Sequence, residues 1–216
     1  MYGYHNRIAR VNLSRGKVTY EELPDEVIRK FIGGKRLGYY TIYREVPPGT
    51  DPLSEANKLV FVPGGLTGII PGSSKVIAVS KSPETRLISH SSGGDAFGPK
   101  LKGHFDALII EGKSEEPVYL HVHDGEVEIL PAGHLWGKSN YEVARELWKE
   151  HPKASMALIG PAGERLSRIA NIIYDTERAS GRGGLGAVLG SKMVKAVVVE
   201  PGEKPKMANP EEFQRL

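Results

Sequence analysis

The feature that most restricts the fold of this chain is an order of local signals that occurs twice. Ile8 to Leu13 and Lys17 to Leu23 alternate apolar and polar residues around Ser14-Arg15-Gly16, which predicts a hairpin closed by Pro24. Asp25 caps a helix through Ile32, Gly33-Gly34 separates it from a second helical run, Leu37 to Glu45, and Pro47-Pro48 ends the region. The apolar strand Lys58 to Val62 then runs into Pro63-Gly64-Gly65. In the second half, Val118 to Val122 and Glu126 to Leu130 flank Asp124-Gly125, and Pro131 closes that hairpin. Ser139-Asn140-Tyr141-Glu142 is a capping box opening a helix to about His151, and Ser155 to Ile159 enters Gly160-Pro161-Ala162-Gly163. Such units are common, so the order admits either an internal duplication, dividing the chain at about 1–112 and 113–200, or reuse of a frequent motif. A duplication predicts two similar hairpin-helix-strand halves related by a pseudo-twofold, with ligand loops gathered on a shared concave surface.

Composition favours a strand- and turn-rich architecture over a helical bundle. The 216 residues include 26 glycines and 15 prolines, which imply many turns and few long helices, and 39% hydrophobic content suffices for a core. Between the two halves, Lys75 to Ser80 reads as a strand stopped by Ser82-Pro83 and Ser89 to Asp95 as a small polar loop. Ala96 to Lys102 reads as a short helix and Ala107 to Glu111 as a strand, and Ile169 to Ile173 is a further apolar run. Residues 1–200 form the expected domain. Beyond it, Pro201 to Lys206 reads as a connector, and Asn209-Pro210-Glu211-Glu212-Phe213 as a capped helix start, suggesting that a further domain follows.

The formal charge of +3 comes from interspersed residues without a basic run, which argues against nucleic acid as a partner. The opening lacks the apolar core of a signal peptide, and no stretch approaches the roughly 18 apolar residues of a membrane span; a cytoplasmic protein is expected. The chain has no cysteine, which excludes disulfides, thiolate metal sites, iron-sulfur ligation and cysteine nucleophiles within it.

Arg178-Ala179-Ser180-Gly181-Arg182-Gly183-Gly184-Leu185-Gly186-Ala187-Val188-Leu189-Gly190-Ser191-Lys192 is the most unusual segment. Backbone amides, a helix beginning near Ala187 and two arginines make an anion site; the plain alternative is a turn that packs a helix on a sheet. So many glycines are entropically costly unless something requires them, which favours the anion site. Gly181 to Gly186 also fits G-x-G-x-x-G, but Tyr174 to Arg178 separates it from the apolar run Ile169 to Ile173, and Glu200 comes too early for the ribose contact. The nucleotide fingerprint is a poor fit. Ser89 to Asp95 and Ser73-Ser74-Lys75 add hydroxyls, amides and a lysine suited to a phosphate or polar heterocycle. His121 and His123 share one strand face, but with no carboxylate or third histidine near in sequence they read as surface histidines without a role. Asp175 and Glu177 read as a helix cap and arginine partners in preference to acid-base groups.

Taken together, these pieces resemble the N-terminal domain of the tungsten-containing aldehyde:ferredoxin oxidoreductases. The resemblance rests on Arg10 to Ser14, Asp51-Pro52-Leu53-Ser54, Leu66-Thr67-Gly68, Lys81-Ser82-Pro83, Phe97 to Lys102, Ile159 to Glu164 and Arg178 to Lys192, and it spans nearly the whole chain. It implies a β-rich α+β domain with two similar halves forming the base for a tungsten (or molybdenum) bis-pyranopterin, with magnesium joining the pterin phosphates. Contacts to that cofactor carry over to Arg178, Ala179, Gly181, Arg182 and Gly183, and in the upstream loops to Lys75, Ser91, Ser92, Gly93 and Gly94; Ala179 and Ser92 fall at the magnesium. The family has an arginine at the position of Lys75 and often an asparagine at that of Ser92. Lysine keeps the charge but loses the bidentate fork.

The implied reaction is oxidation of an aldehyde to a carboxylic acid, with electrons passing through an iron-sulfur cluster to ferredoxin. Downstream cysteine-bearing domains or a subunit would ligate the cluster, and no proton-transfer residue is assigned to this chain, which by itself should be inactive. The alternative is a stand-alone pterin-binding or assembly subunit acting with a separate catalytic chain. Homo-oligomerisation is compatible with either.

Overall fold

A computed structural model describes residues 1–215. The first half builds β1 (Arg7–Asn12), β2 (Lys17–Glu22), α1 (Asp25–Phe31), α2 (Gly34–Glu45), β3 (Leu59–Pro63), β4 (Val76–Lys81), β5 (Ile88–Gly93), α3 (Phe97–Lys102) and β6 (Ala107–Glu111). The second builds β7 (Val118–His123), β8 (Glu126–Pro131), α4 (Asn140–Glu150), β9 (Ser155–Leu158), α5 (Pro161–Glu164), β10 (Ile172–Tyr174), β11 (Arg178–Ser180), α6 (Leu185–Ser191) and β12 (Val194–Val199). A last helix, α7 (Pro210–Arg215), begins with Asn209 Oδ1 accepting from Glu212 N at 3.2 Å, the cap expected there.

The twice-used order becomes two six-stranded sheets of identical topology. One runs β2-β1-β6-β3-β4-β5 and the other β8-β7-β12-β9-β10-β11. In each, the hairpin is antiparallel, its first strand lies parallel to the last strand of the half, and the remaining pairs are antiparallel. Strand composition explains why both faces are covered. Leu59-Val60-Phe61-Val62 and Val194 to Val199 are buried continuously, as strands with helices or another sheet on each side must be.

Alternation assigns each residue its layer. Ala9, Val11, Leu59, Phe61, Leu108 and Ile110 face Leu120, Val122, Ala157, Ile172, Val197 and Val199 across a central core that also takes α3 and α6. The opposite face, Val60, Val62, Val79, Ala107 and Ile109, packs on α1 and α2. Tyr119, Met156, Leu158, Ala196 and Val198 pack on α4. The layers are therefore α1/α2, first sheet, α3/α6, second sheet, α4.

Several local expectations change in the fold. Ser89 to Asp95 is largely the edge strand β5, because Ser89, His90, Ser91 and Ser92 take their partners from β4 despite low strand propensity. The apolar run at Ile169 starts late: Ile169 is exposed, and only Ile172–Tyr174 pairs. α2 begins at Gly34 and not at Leu37, after Gly33 turns the chain. The segment read as a connector is pinned to the start of the chain, since Gly3 N donates to Lys206 O at 2.8 Å and His5 Nε2 lies 3.2 Å from Glu203 O.

Lys192 ties the halves together. Its buried ammonium donates to Asn57 O at 2.5 Å and Gly112 O at 3.1 Å, and burial pushes its pKa down to about 8. Below that value both folded and unfolded chains carry the proton; above the ordinary lysine range neither does. Between them the unfolded chain binds more protons, so stability rises with pH, from this group by up to about 3 kcal/mol. Thermal melts from pH 7.5 to 10.5 should show this rise, and Lys192→Met should flatten it.

Candidate functional site

The two sheets meet at their free edges. β5 pairs only with β4, its counterpart β11 only with β10, and the two edge strands abut as an approximate twofold requires. Ser180 Oγ donates to Ser91 O at 3.3 Å, and Arg182 N donates to Ser91 Oγ at 3.2 Å. Beneath them the fully buried Tyr174 places its hydroxyl 3.0 Å from Ser180 Oγ and its ring 5.3 Å from that of Phe97. Above this floor lies an open cleft of about 470 Å³ lined by His90, Ser91, Ser92, Ala179, Gly181 and Arg182.

Five of the residues expected to contact cofactor thus come from opposite halves to one cleft: Ser91, Ser92, Ala179, Gly181 and Arg182. The other five lie outside its lining. Arg178 is exposed at the start of β11, Lys75 is exposed just before β4, and Gly94 follows the end of β5. Gly93 is buried, and a Cβ there would stand 2.0 Å from the Tyr174 ring, so its glycine is explained by packing. Gly183 N donates to the Glu84 carboxylate at 3.2 Å, which commits that amide to an acidic partner.

The glycine-rich stretch therefore divides into two parts with different physical causes. Around Gly181 the nearest atom to an added Cβ is 3.9 Å away, leaving room for a ligand to approach the backbone. At Gly184, φ is +63° and a Cβ would meet Arg168 O at 1.9 Å; Gly190 would meet Gly163 O at 2.0 Å. Those glycines let α6 lie against the α5 segment. The expected contribution of a helix N-terminus is not found: α6 starts at Leu185, and Gly186 N is already bonded to Ala170 O at 2.9 Å.

The nucleotide fingerprint fails for a reason the sequence does not show. β11 does run directly into Gly181, but β11 and β12 are antiparallel and separated by β10 and β9, so no βαβ unit exists. Asp175 is neither a helix cap nor an arginine partner. In the turn between β10 and β11, its carboxylate accepts from Ser155 Oγ and from Met156 N at 2.7 Å, and burial raises its pKa.

The cleft's electrostatics favour an anion. His90 is held below the ordinary imidazole range first by burial and then by the positive charges of Lys35 and Arg182. No carboxylate is among the six lining residues, and Tyr39 OH orients the imidazole through a 2.9 Å contact with Nδ1. Local sequence does not single out His90, Tyr39 or Lys35. The only local hint is that His90 lies within Ser89 to Asp95, whereas Tyr39 and Lys35 reach it through tertiary packing of α2.

No helix among the described residues is long and apolar enough to cross a membrane. Residues 8–201 match the aldehyde ferredoxin oxidoreductase N-terminal domain. The tungsten-containing aldehyde ferredoxin oxidoreductase of Thermococcus kodakarensis is 43% identical over 99% of this chain, and that of Pyrococcus furiosus 42%. An aliphatic sulfonate oxidoreductase, WOR-like subunit, of Pyrococcus furiosus is 38% identical over 100% of the chain. Among solved structures, the active site complex BamBC of benzoyl coenzyme A reductase with 1,5-dienoyl-CoA superposes with a TM-score of 0.95 at 35% identity, covering 99% of this chain and 33% of that one. The chain spans 36% of the length of the two aldehyde ferredoxin oxidoreductases. Two β-rich halves of identical topology, meeting at a cationic cleft and matched along nearly their whole length, place this chain in the aldehyde ferredoxin oxidoreductase N-terminal domain family.

Proposed function

We propose that the cleft between β5 and β11 holds the anionic end of a tungsten or molybdenum bis-pyranopterin, in a cytoplasmic enzyme that oxidises aldehydes and passes electrons to ferredoxin. The observation that carries this reading is the convergence of Ser91 and Ser92 from one half with Ala179, Gly181 and Arg182 from the other. The residues fit the group's phosphates: the Arg182 guanidinium supplies charge-assisted donors, the serine hydroxyls supply neutral ones, and the space at Gly181 admits close approach to the backbone. Ala179 and Ser92 are exposed at the same cleft, and the Ser92 hydroxyl and the Ala179 carbonyl would be the groups to hold the cofactor's magnesium ion. Lys75, Arg178, Gly93, Gly94 and Gly183 lie outside the cleft lining and are the less direct members of the proposed set. When bound, the cofactor supplies the oxidation chemistry; this chain binds, orients and screens it. Residues 1–200 form this domain, and the iron-sulfur cluster takes its cysteines from polypeptide outside this cysteine-free sequence.

Relatives named as a subunit and as a complex favour a second reading, a pterin-carrying subunit that works with a separate catalytic chain. Aldehyde oxidation by the purified full-length polypeptide alone decides for the first reading. Metal and pterin analysis of that polypeptide tests both: a folded, active product with neither tungsten nor molybdenum and no pterin would sink them. Arg182→Ala should weaken cofactor retention about 10-fold or more, the worth of a charge-assisted hydrogen bond, with Arg182→Lys intermediate. Pterin content after gel filtration measures it.

A further inference from the structure

The outer face of the second sheet carries a cluster that the cofactor reading does not use. His121 and His123 project from β7 on the same face as Tyr119, and Glu200 continues the face of β12 that carries Ala196 and Val198. His151 stands at the C-cap of α4, which packs on that face. The parallel register sets His121 beside Val198, so Glu200 falls within reach of the imidazole, and the end of α4 closes the third side. Sequence separation hides all of this: the histidines looked unaccompanied because their partners arrive from α4, from beyond β12 and from β8.

We propose that His121 Nε2, His151 Nδ1 and the Glu200 carboxylate form a binding site for a divalent transition-metal ion of the zinc class. Their ligand atoms all lie within 4.8 Å of one another. Glu200 Oε1 stands 3.7 Å from His121 Nε2 and 3.5 Å from His151 Nδ1. Those separations exceed an ordinary hydrogen bond but lie near the edge of a zinc tetrahedron, about 3.3 Å for bonds of about 2.0–2.1 Å. His121 Nε2 is buried and has no hydrogen-bond partner, an arrangement that is costly unless something else satisfies the nitrogen.

The surroundings suit metal ligation better than a proton. The His121 and His151 rings lie 4.1 Å apart and those of His121 and His123 4.5 Å apart, so charging all three would set like charges against each other. For the remaining nitrogens, Tyr119 OH lies 3.5 Å from His151 Nε2, at the outer limit of a hydrogen bond, whereas Glu128 Oε2, 3.9 Å from His121 Nδ1, would have to close in to make one. Ligating histidines characteristically turn their free N–H toward such groups. His123, whose Nε2 is likewise buried without a partner, and Glu128 offer His121 another pair of co-ligands, but Glu128 is exposed whereas Glu200 is half-buried, so the ion is placed on the His151–Glu200 side. Three protein ligands leave a fourth position for water. The ion would staple β7, the end of α4 and the exit of β12.

The test is zinc binding by the full-length protein after chelation, read by equilibrium dialysis with elemental analysis. Wild type should regain one equivalent of zinc that His121→Gln, His151→Ala and Glu200→Gln do not, each binding at least about 100-fold more weakly, whereas His123→Ala should bind as wild type. Any zinc held elsewhere is common to all variants and cancels in the comparison. Zinc-edge absorption of the wild type keeps the question open to refutation should a variant misfold: two imidazoles and one carboxylate are expected. Unchanged stoichiometry in the three variants, a sulfur-ligated spectrum only, or no zinc uptake at micromolar concentration would each overturn the site. Dependence on His123 and Glu128 without dependence on Glu200 would overturn it equally.

Discussion

Gly184→Ala should prevent this domain from folding, while Gly181→Ala, three residues away in the same glycine-rich stretch, should fold like the wild type and lose cofactor. At Gly184 the backbone has φ +63° and a Cβ would stand 1.9 Å from Arg168 O, with the Pro83 ring at 3.0 Å on another side. A carbonyl in a packed segment cannot retreat as a flexible side chain does. The strain of a left-handed non-glycine residue and the displacement of α6 from its seat together cost about 3–5 kcal/mol, comparable to the whole stability of a marginal domain. At Gly181 nothing lies nearer than 3.9 Å and φ is not in the left-handed region, so alanine is tolerated; its methyl intrudes only on the cleft. Soluble expression and hydrogen exchange at β10 and β12 report the first effect, pterin and metal content the second. Equal thermal stability of the two variants would refute this division of the stretch.

Glu164→Ala should cost about 3–5 kcal/mol, because it strands a charge in the interior. The Lys195 side chain is 0% exposed and that of Glu164 5%; their ion pair is joined by Lys195 Nζ donating to Lys138 O at 2.8 Å. Glu164 also accepts from Gly137 N at 2.9 Å. Burial holds the Lys195 pKa below the ordinary lysine range even beside Glu164. Removing the carboxylate leaves the ammonium with a single carbonyl; removing both charges in Lys195→Met/Glu164→Leu should restore most of the loss, with exposed Gly137 free to bond water. Amide exchange at β9 and β12 in the full-length protein separates the two outcomes. A double variant as unstable as Glu164→Ala would show that the pair is needed for more than charge balance.

Local chemistry determined much of this protein. The hairpins around Gly16 and Gly125, the capping box at Ser139 with Glu142, the cap at Asn209 and the apolar strands at Leu59 and Met156 are written in neighbouring residues, because turns, caps and burial on both faces have short-range signatures. Their order, repeated, pointed to two like halves without deciding it; the identical sheet topologies show the likeness. Five of the six residues that line the cleft were named by the family resemblance, whereas their glycines, serines and arginine by themselves also admitted a packing turn and a solvated loop.

Tertiary structure alone decided the rest. β5 and β11 exist because a neighbouring strand fills their backbone hydrogen bonds, which no propensity of Ser-His-Ser-Ser or Arg-Ala-Ser foretells. Which glycine makes room for a ligand and which for a carbonyl depends on what lies opposite: open cleft at Gly181, Arg168 at Gly184. Likewise His121 gains His151 and Glu200 only when α4 and β12 close over β7. A sequence states what each residue is able to do; the packing of distant segments fixes what each one faces, and so determines its role.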